Sequence, residues 1–346
     1  AMTMLERVGG VDINTVPFND PETLSLFSSP NALNVDPRTY PEKTGALGLP
    51  EFGTPFVRKM LEATKPSNFS DLVQISGLSH GTDVWRNNAE ELIKNGLTLR
   101  EVIGCRDDIM VYLMQHGLKP KLSFDIMESV RKGKGLRQEW EKDMKSFDIP
   151  SWYIDSCKKI KYMFPKAHAV AYVMMALRVA WFKVHRPLSH YAVYFTLRVN
   201  AYEIETMTSS MTAVQKRIQD IQTRLQNFNT KHEVTSKEVS LVDTLEVTLE
   251  MMSRGYTRKP INLDLSAATE FILDPNDNKA IIPPFNVIDG LGDTVAESII
   301  IAREEREIIS KQDLIMRSSI SSSLIKKLDD LGVTSHLQES NQMSLF

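Results

Sequence analysis

The longest apolar segment of the chain, residues 167–197, is the feature that most restricts its fold. A membrane-spanning helix needs about 20 consecutive residues that are mostly apolar and uncharged. This segment is interrupted by charged residues, a histidine and a proline, namely Arg178, Lys183, His185, Arg186 and Pro187. We therefore predict a buried helix that breaks near Pro187, packed inside a chain that does not enter a membrane.

Hydrophobic spacing predicts helices for most of the remaining chain. They are expected at residues 55–64, 68–75, 87–95, 98–104, 106–116, 123–131 and 202–229, after short helices within residues 1–40. Asp20 followed by Pro21 predicts a capped helix start. The 4-3-4 spacing of Val214, Ile218, Ile221 and Leu225 predicts a narrow apolar seam, which we interpret as core packing.

A few segments predict short strands. They are residues 233–242 and 261–264, on either side of a helix at 243–254. Residues 271–273 and 280–282 flank a turn and are expected to pair as a β-hairpin. The predicted fold class is mainly α with small β elements (α+β).

Charge is distributed unevenly along the 346 residues, although the net charge is only −3. Residues 119–198 contain 16 Lys and Arg against 7 Asp and Glu, whereas residues 288–346 contain 6 against 10. A polyanionic partner is therefore expected along the middle of the chain.

Residues 288–296, Ile-Asp-Gly-Leu-Gly-Asp-Thr-Val-Ala, resemble the turn of a helix-hairpin-helix motif. In that motif, backbone N–H groups of a Gly-x-Gly turn and the following helix N-terminus face a phosphate. Gly290 and Gly292 would then contact the DNA backbone. The alternative is a helical turn that packs and binds nothing. The Gly-Leu-Gly sequence followed by Ala296 and the isoleucines at 299–301 favours the DNA interpretation, whereas Asp289, Asp293 and Glu297 weaken it because acids repel phosphate.

Two other segments are candidates for nucleotide contact. Lys166 and His168 open the long helix, and cations beside aromatic or imidazole rings suit phosphates and bases. The alternative is a solvated basic face with a core histidine. Ser79 and His80 belong to a Ser-His-Gly-Thr sequence that could present donors to a phosphate or simply form a capped turn.

The sequence ends in Gln-Met-Ser-Leu-Phe after a polar stretch. Such a peptide can place Met343, Leu345 and Phe346 in a hydrophobic groove while Gln342 forms a hydrogen bond. The alternative is a frayed end.

Together with the Gly-Leu-Gly turn and this peptide, four longer segments carry a resemblance to a known family: residues 49–54, 75–85, 126–135 and 153–168. They resemble the PolC-type alpha subunit of DNA polymerase III, a bacterial family C replicative polymerase. The resemblance implies helical polymerase fingers at 1–200, a duplex-binding domain at 201–335 with its helix-hairpin-helix near 285–305, and a flexible tail at 336–346.

The resemblance also implies roles for individual residues. The dNTP or nascent base pair would contact Ser79, His80, Lys166 and His168, and the DNA backbone would contact Arg131, Lys132 and Lys134 as well as the two turn glycines. The final peptide would bind the β sliding clamp. Implied partners are primer-template DNA, dNTP, the clamp and the clamp-loader tau subunit, in the cytoplasmic replisome at the nucleoid.

The catalytic carboxylates of this family, which hold two Mg²⁺ ions for phosphoryl transfer, have no counterpart in the sequence. Only the pairs Asp107-Asp108 and Asp329-Asp330 occur, in helical surroundings. We expect the palm domain before residue 1, no catalytic residue or metal ligand here, and a fragment that is inactive alone although the full-length enzyme is a Mg²⁺-dependent nucleotidyltransferase.

Two further hypotheses come from other classes of protein. One is a non-catalytic scaffold that binds the sliding clamp and a clamp-loader subunit. The other is an independent helix-hairpin-helix nuclease or repair factor, which would need a carboxylate or histidine cluster that the sequence does not display.

Overall fold

The computed structural model describes residues 1–340, and these fall into two compact units. Unit A comprises Thr15–Leu33 and Glu42–Val184, and unit B comprises Ala1–Asn14, Asn34–Pro41 and the described part of His185–Phe346. The domain boundaries expected at residues 200 and 335 stay predictions.

Helices dominate both units. In unit A they are α2 (Pro21–Ser25), α3 (Pro55–Thr64), α4 (Phe69–His80), α5 (Glu90–Lys94), α6 (Arg106–Gln115), α7 (Pro120–Arg131), α8 (Gln138–Ser146), α9 (Ser151–Lys159) and α10 (Lys166–His185), whose last residue belongs to unit B. In unit B they are α1 (Met2–Gly9), α11 (Pro187–Leu197), α12 (Ile204–Met207), α13 (Met211–Gln226), α14 (Ser236–Ser253), α15 (Asp293–Glu305), α16 (Lys311–Arg317) and α17 (Ser322–Asp330).

Proline and capping side chains start several of these helices, as the sequence predicts. The carboxylate of Asp20 accepts a hydrogen bond from the Thr23 N–H at 2.9 Å, and Pro21 is the first residue of α2. Thr54 and Pro55 start α3 in the same way. Proline fits this position because its missing N–H would have no helical partner there.

The long apolar segment forms two helices, α10 and α11, with the break at Arg186 before Pro187 as predicted. By length and composition alone α10 could cross a membrane, but buried core helices pass the same test. Lys183 of α10 is fully buried, and its ammonium donates hydrogen bonds to the carbonyls of Gly45 (2.8 Å) and Leu47 (2.6 Å). These bonds hold the 45–47 loop on the helix.

In unit B, the predicted apolar seam of α13 packs against α14. Val214, Ile218 and Ile221 are buried, whereas Leu225 at the end of the seam is exposed. The interpretation of the seam as core packing is therefore confirmed for its first three members.

A three-stranded sheet in unit B has the order β1 (Thr257–Arg258), β3 (Ala280–Ile282), β2 (Ile272–Leu273). The strands β2 and β3 form the predicted antiparallel hairpin, with Leu273 opposite Ile281. Strand β1, which pairs in parallel with β3, was not predicted. The predicted fold class, mainly α with small β elements, is confirmed.

The strands predicted at 233–242 and 261–264 are wrong. Thr235 and Glu238 form a capping box, in which each side chain accepts the other's backbone N–H at 3.1–3.2 Å, and this box starts α14. Asn262 accepts the N–H groups of Asp264 and Leu265 at 2.8 and 2.9 Å, so the second segment is a side-chain-stabilised turn.

The helix predicted at 98–104 is also wrong. The Glu101 carboxylate accepts both the N–H and the hydroxyl hydrogen of Thr98, and the side chain of Gln74 donates to the Val102 carbonyl at 2.6 Å. These bonds leave the segment as a turn. In the helix predicted at 87–95, the regular part begins only at Glu90, after an irregular turn.

Candidate nucleotide and nucleic-acid interface

The C-terminal end of α4 carries Ser79 and His80. Nδ1 of His80 lies 2.7 Å from the Ser76 carbonyl oxygen, and Nε2 lies 2.6 Å from the Glu51 carboxylate. Because a carbonyl oxygen can only accept, Nδ1 carries the hydrogen of the first bond. Ser79 Oγ donates to the same carbonyl at 3.0 Å. Both ring nitrogens of His80 are thus engaged, which leaves the faces of its ring for other contacts.

Several rings gather around His80 in what we call the aromatic cluster: Tyr162, Phe164, His168, Tyr172 and His80 itself. The ring of His80 lies 5.6 Å from that of Phe164 and 6.2 Å from that of His168. Phe164 and His168 stack at 4.9 Å, and His168 lies 4.4 Å from Tyr172. Tyr162 is 46% exposed and the others are half-buried. Partly exposed rings of this kind can stack on nucleobases.

A backbone bridge connects this cluster to the loop after α4. Thr82 donates its N–H to the Tyr162 carbonyl at 3.0 Å and accepts the N–H of Lys161, also at 3.0 Å. Segments that lie about 80 residues apart in the sequence are therefore adjacent in unit A.

The basic turn after α7 adjoins residues 161–163, the segment that contains Tyr162. The N–H of Met163 donates to the Arg131 carbonyl at 3.3 Å. Gly133 has a φ of +68°, and a Cβ at this position would lie 2.4 Å from the Lys161 carbonyl oxygen. Only glycine fits this approach without movement. Three motifs that the sequence analysis singled out separately therefore meet at residues 161–164. They are the loop after α4, the basic turn after α7 and the segment that leads into α10.

The cations of the basic turn are not equivalent. Arg131 and Lys132 both bind Glu128, and these bonds lower the pKa of the Glu128 carboxyl to about 2. Lys134 and Lys161 are exposed and form no ion pair with any residue from 1 to 340. They are the cations of this surface best able to meet a phosphate.

Lys166, at the start of α10, is held by acids. Its Nζ lies 2.9 Å from the Asp108 carboxylate, and its backbone N–H donates to Asp107 at 2.6 Å. Burial lowers the pKa of Lys166, but the hydrogen bond and charge of Asp108 outweigh it and raise the pKa. Lys166 lines a separate cleft of about 290 Å³ together with Tyr112 and Gln74. Of the four residues predicted to contact the nucleotide, Ser79, His80 and His168 therefore lie close together. Lys166 is instead paired with Asp108.

The helix-hairpin-helix segment belongs to unit B. Its first helix, predicted from residue 285, is only a single 3₁₀ turn, Phe285–Val287. Gly290 then turns the chain with a φ of +88°, and Gly292 precedes α15. The second helix and the tight turn agree with the motif, whereas its first helix is reduced.

The contacts between charged groups around this turn were not evident from the sequence. The Asp289 carboxylate binds Lys237 at 2.7 Å, and the Lys327 ammonium donates to the Asp289 carbonyl at 2.7 Å. A Cβ on Gly290 would lie 3.8 Å from the Lys327 Nζ. Asp289, one of the acids that argued against phosphate binding, is thus paired with a lysine, and a second lysine adjoins the turn.

Within residues 1–340, no three His, Cys, Asp or Glu side chains form a group that could hold a metal ion. The pairs Asp107-Asp108 and Asp329-Asp330 lie in α6 and α17, in the helical surroundings that the sequence predicts. Both cysteines, Cys105 and Cys157, are buried free thiols.

The segment before the final peptide is attached to α16. Ser310 and Gln338 form a parallel bridge, and the N–H groups of Lys311 and Gln312 donate to the carbonyls of Gln338 (2.8 Å) and Glu339 (3.2 Å). Residues 338–339 therefore belong to the folded unit B. The predicted clamp-binding residues lie outside the described residues: Gln342, Met343, Leu345 and Phe346.

Comparison with known proteins shows homology to one group of proteins over almost the whole chain. A model of the bacterial DNA polymerase III alpha subunit finger domain matches residues 1–148, and a helix-hairpin-helix model matches residues 255–343. Over 99% of its length, the chain is 54% identical to the PolC-type DNA polymerase III of Bacillus cereus and 53% identical to that of Bacillus subtilis. The chain is a homologue of part of PolC-type DNA polymerase III. It spans 23% of the length of each of these relatives.

The PolC-type relatives confirm the family resemblance and the presence of finger and helix-hairpin-helix regions. Identity stays at 49% over 99% of the chain for the Staphylococcus aureus relative, which also extends well beyond this chain. The roles of individual residues stay predictions. The sequence analysis missed Glu51 beside His80 and Lys327 beside the Gly290 turn. Each is distant in sequence from the residue that it contacts, so only the tertiary fold brings the two together.

Proposed function

We propose that this chain supplies the fingers and a duplex-binding surface to a PolC-type DNA polymerase that adds dNTPs to a primer on a template. The meeting of the aromatic cluster, the loop after α4 and the basic turn carries this proposal. Rings that can stack on bases there adjoin cations that can meet phosphates. Such a polymerase would work in the bacterial cytoplasm.

Within this proposal, the rings of His80 and His168 contact the nucleotide or nascent base pair, and Ser79 helps to fix the His80 ring. Lys166 acts on the nucleotide only if it leaves Asp108. Lys134 leads the backbone contacts, since Arg131 and Lys132 are shared with Glu128. Gly290 and Gly292 would meet a duplex phosphate beside Lys327.

The chemistry of a DNA polymerase requires carboxylates that hold two divalent metal ions. The described residues bring no such carboxylates together. In this proposal the Mg²⁺ ligands come from another part of the polymerase polypeptide, and the chain alone extends no primer.

We expect the chain to bind primed duplex DNA with an affinity that falls steeply with salt, because bound cations release counterions. Replacing both Lys134 and Lys161 with alanine should make the plot of the logarithm of the association constant against the logarithm of the salt concentration less steep. The magnitude of its negative slope should fall by about 2, roughly one unit per lost phosphate contact. Fluorescence anisotropy over a salt series measures this slope.

The matched control is Lys216→Ala, which removes an exposed lysine of α13 and should leave the slope unchanged. An unmodified chain without salt-dependent binding at low ionic strength would refute the DNA-contacting role.

The final peptide, residues 342–346, suggests that this polymerase binds a partner protein. Its glutamine and apolar anchors suit a hydrophobic groove, and we propose the β sliding clamp as the partner. Deleting residues 342–346 should weaken binding to a purified bacterial sliding clamp at least 100-fold, as measured by surface plasmon resonance, because the apolar anchors are lost. An unchanged affinity after the deletion would remove this assignment.

The final peptide also favours a second candidate function, in which the chain is a scaffold that acts mainly through protein contacts. The α13 seam no longer supports it, because Val214, Ile218 and Ile221 are buried against α14. Binding to the clamp-loader tau subunit rests on the family resemblance.

A further inference from the structure

The attachment of residues 338–339 to α16 fixes where the final peptide begins. Their carbonyls accept the first two N–H groups of α16, which have no partner within the helix. The ammonium of Lys311 adds ion pairs to Glu339 at 2.6 Å and Asp329 at 3.0 Å. The hydrogen bonds to Glu339 and then Asp329 raise the pKa of Lys311. Glu339 is therefore a fixed point of unit B.

The distance from this point to the peptide is limited by covalent geometry. An extended chain spans at most about 3.6 Å per residue, so the sequence separation allows a partner bound at Gln342 to be at most about 11 Å from Glu339, and one bound at Met343 at most about 14 Å. This limit holds for any conformation of the intervening residues. A protein that binds Gln342 and Met343 must bring its surface almost onto unit B.

The surface that it would meet is partly apolar. A groove of about 590 Å³ runs beside α16 and α17, lined by Ile315, Ile325, Lys326 and Asp329 as well as Lys311 and Glu339. Ile315 is exposed, and its neighbour Met316 is 72% exposed. Ile315 lines the groove, and Met316 next to it offers further exposed apolar surface that a partner can cover.

We propose that the groove between α16 and α17, with Ile315 and Met316, is a second contact surface for the protein that takes up the final peptide. This inference rests on the proposed binding of residues 342–346 to the sliding clamp. The proposed occupant is the clamp surface around its peptide-binding groove. A linker of two residues gives the second contact a high effective concentration, so a weak apolar contact suffices.

The test compares Ile315→Ser/Met316→Ser with the unmodified chain in binding to a purified bacterial sliding clamp, measured by surface plasmon resonance. Both residues are exposed, so the substitutions should leave the fold intact, which circular dichroism checks. We expect roughly tenfold weaker binding, from the loss of apolar burial. A synthetic peptide of residues 340–346 should bind about as weakly as the variant, because it lacks the groove. The control Phe228→Ser removes a side chain that is 80% exposed elsewhere in unit B and should have no effect.

The outcomes separate the two proposals. A double variant that binds like the unmodified chain, while deletion of residues 342–346 abolishes binding, overturns the groove and leaves the peptide assignment intact. Unchanged binding after the deletion overturns the peptide assignment, and the groove inference with it.

Discussion

Replacing Lys183 with methionine is expected to lower the free energy of unfolding by about 3–5 kcal/mol, because it leaves buried carbonyl groups without their charged donor. The fully buried ammonium of Lys183 donates to the carbonyls of Gly45 and Leu47. Methionine keeps most of the volume of the side chain, so the effect isolates the lost hydrogen bonds. Urea denaturation followed by circular dichroism measures it.

The matched control is Lys59→Met on α3, where the lysine is exposed. A surface substitution of this kind is expected to change the free energy of unfolding by less than about 0.5 kcal/mol. Equal stability of the Lys183 and Lys59 variants would mean that the loop at 45–47 does not depend on the ammonium of Lys183.

Gly133→Ala is the second change with a large expected effect, a loss of about 2–5 kcal/mol in the free energy of unfolding. The left-handed backbone costs an alanine about 1–2 kcal/mol, and overpacking adds a further cost of about 1–3 kcal/mol. A Cβ would lie 2.4 Å from the Lys161 carbonyl oxygen, which belongs to the backbone and cannot swing away. Relief of this clash moves the basic turn away from residues 161–164, so DNA affinity should fall as well.

Gly135→Ala provides a close control. Gly135 has nearly the same φ, +67°, but nothing lies within 4 Å of a Cβ at that position. This variant shares the backbone cost without the clash and should lose only about 1–2 kcal/mol. If both variants lose equal stability in urea and bind DNA equally well, the contact between Gly133 and Lys161 has no role in holding the turn.

Local chemistry explains what the sequence could predict. The Asp20-Pro21 start of α2, the break at Pro187 and the β2–β3 hairpin depend on residues that are close in the chain. The capping box of Thr235 and Glu238 is also local. The prediction of a strand at 233–242 overlooked this box, which starts α14.

Contacts between distant residues explain what remained unpredicted. Glu51 reaches His80 across 29 positions, and its own φ of +66° is a conformation that the sequence does not signal. Lys237 meets Asp289 across 52 positions, which pairs with a cation an acid that the sequence argument had treated as unpaired. The motifs therefore indicated the segments of the candidate surfaces, whereas the partners that orient their side chains required the fold.

The attachment of residues 338–339 through their carbonyl oxygens has a consequence for how this part of the protein can evolve. Main-chain carbonyls are present whatever the side chain, so a substitution at Gln338 leaves the bond to α16 intact. An inserted or deleted residue between Glu339 and Gln342 instead changes the reach of the peptide by about 3.6 Å. Natural selection is therefore expected to act on the length of this short segment more strongly than on its amino-acid identities.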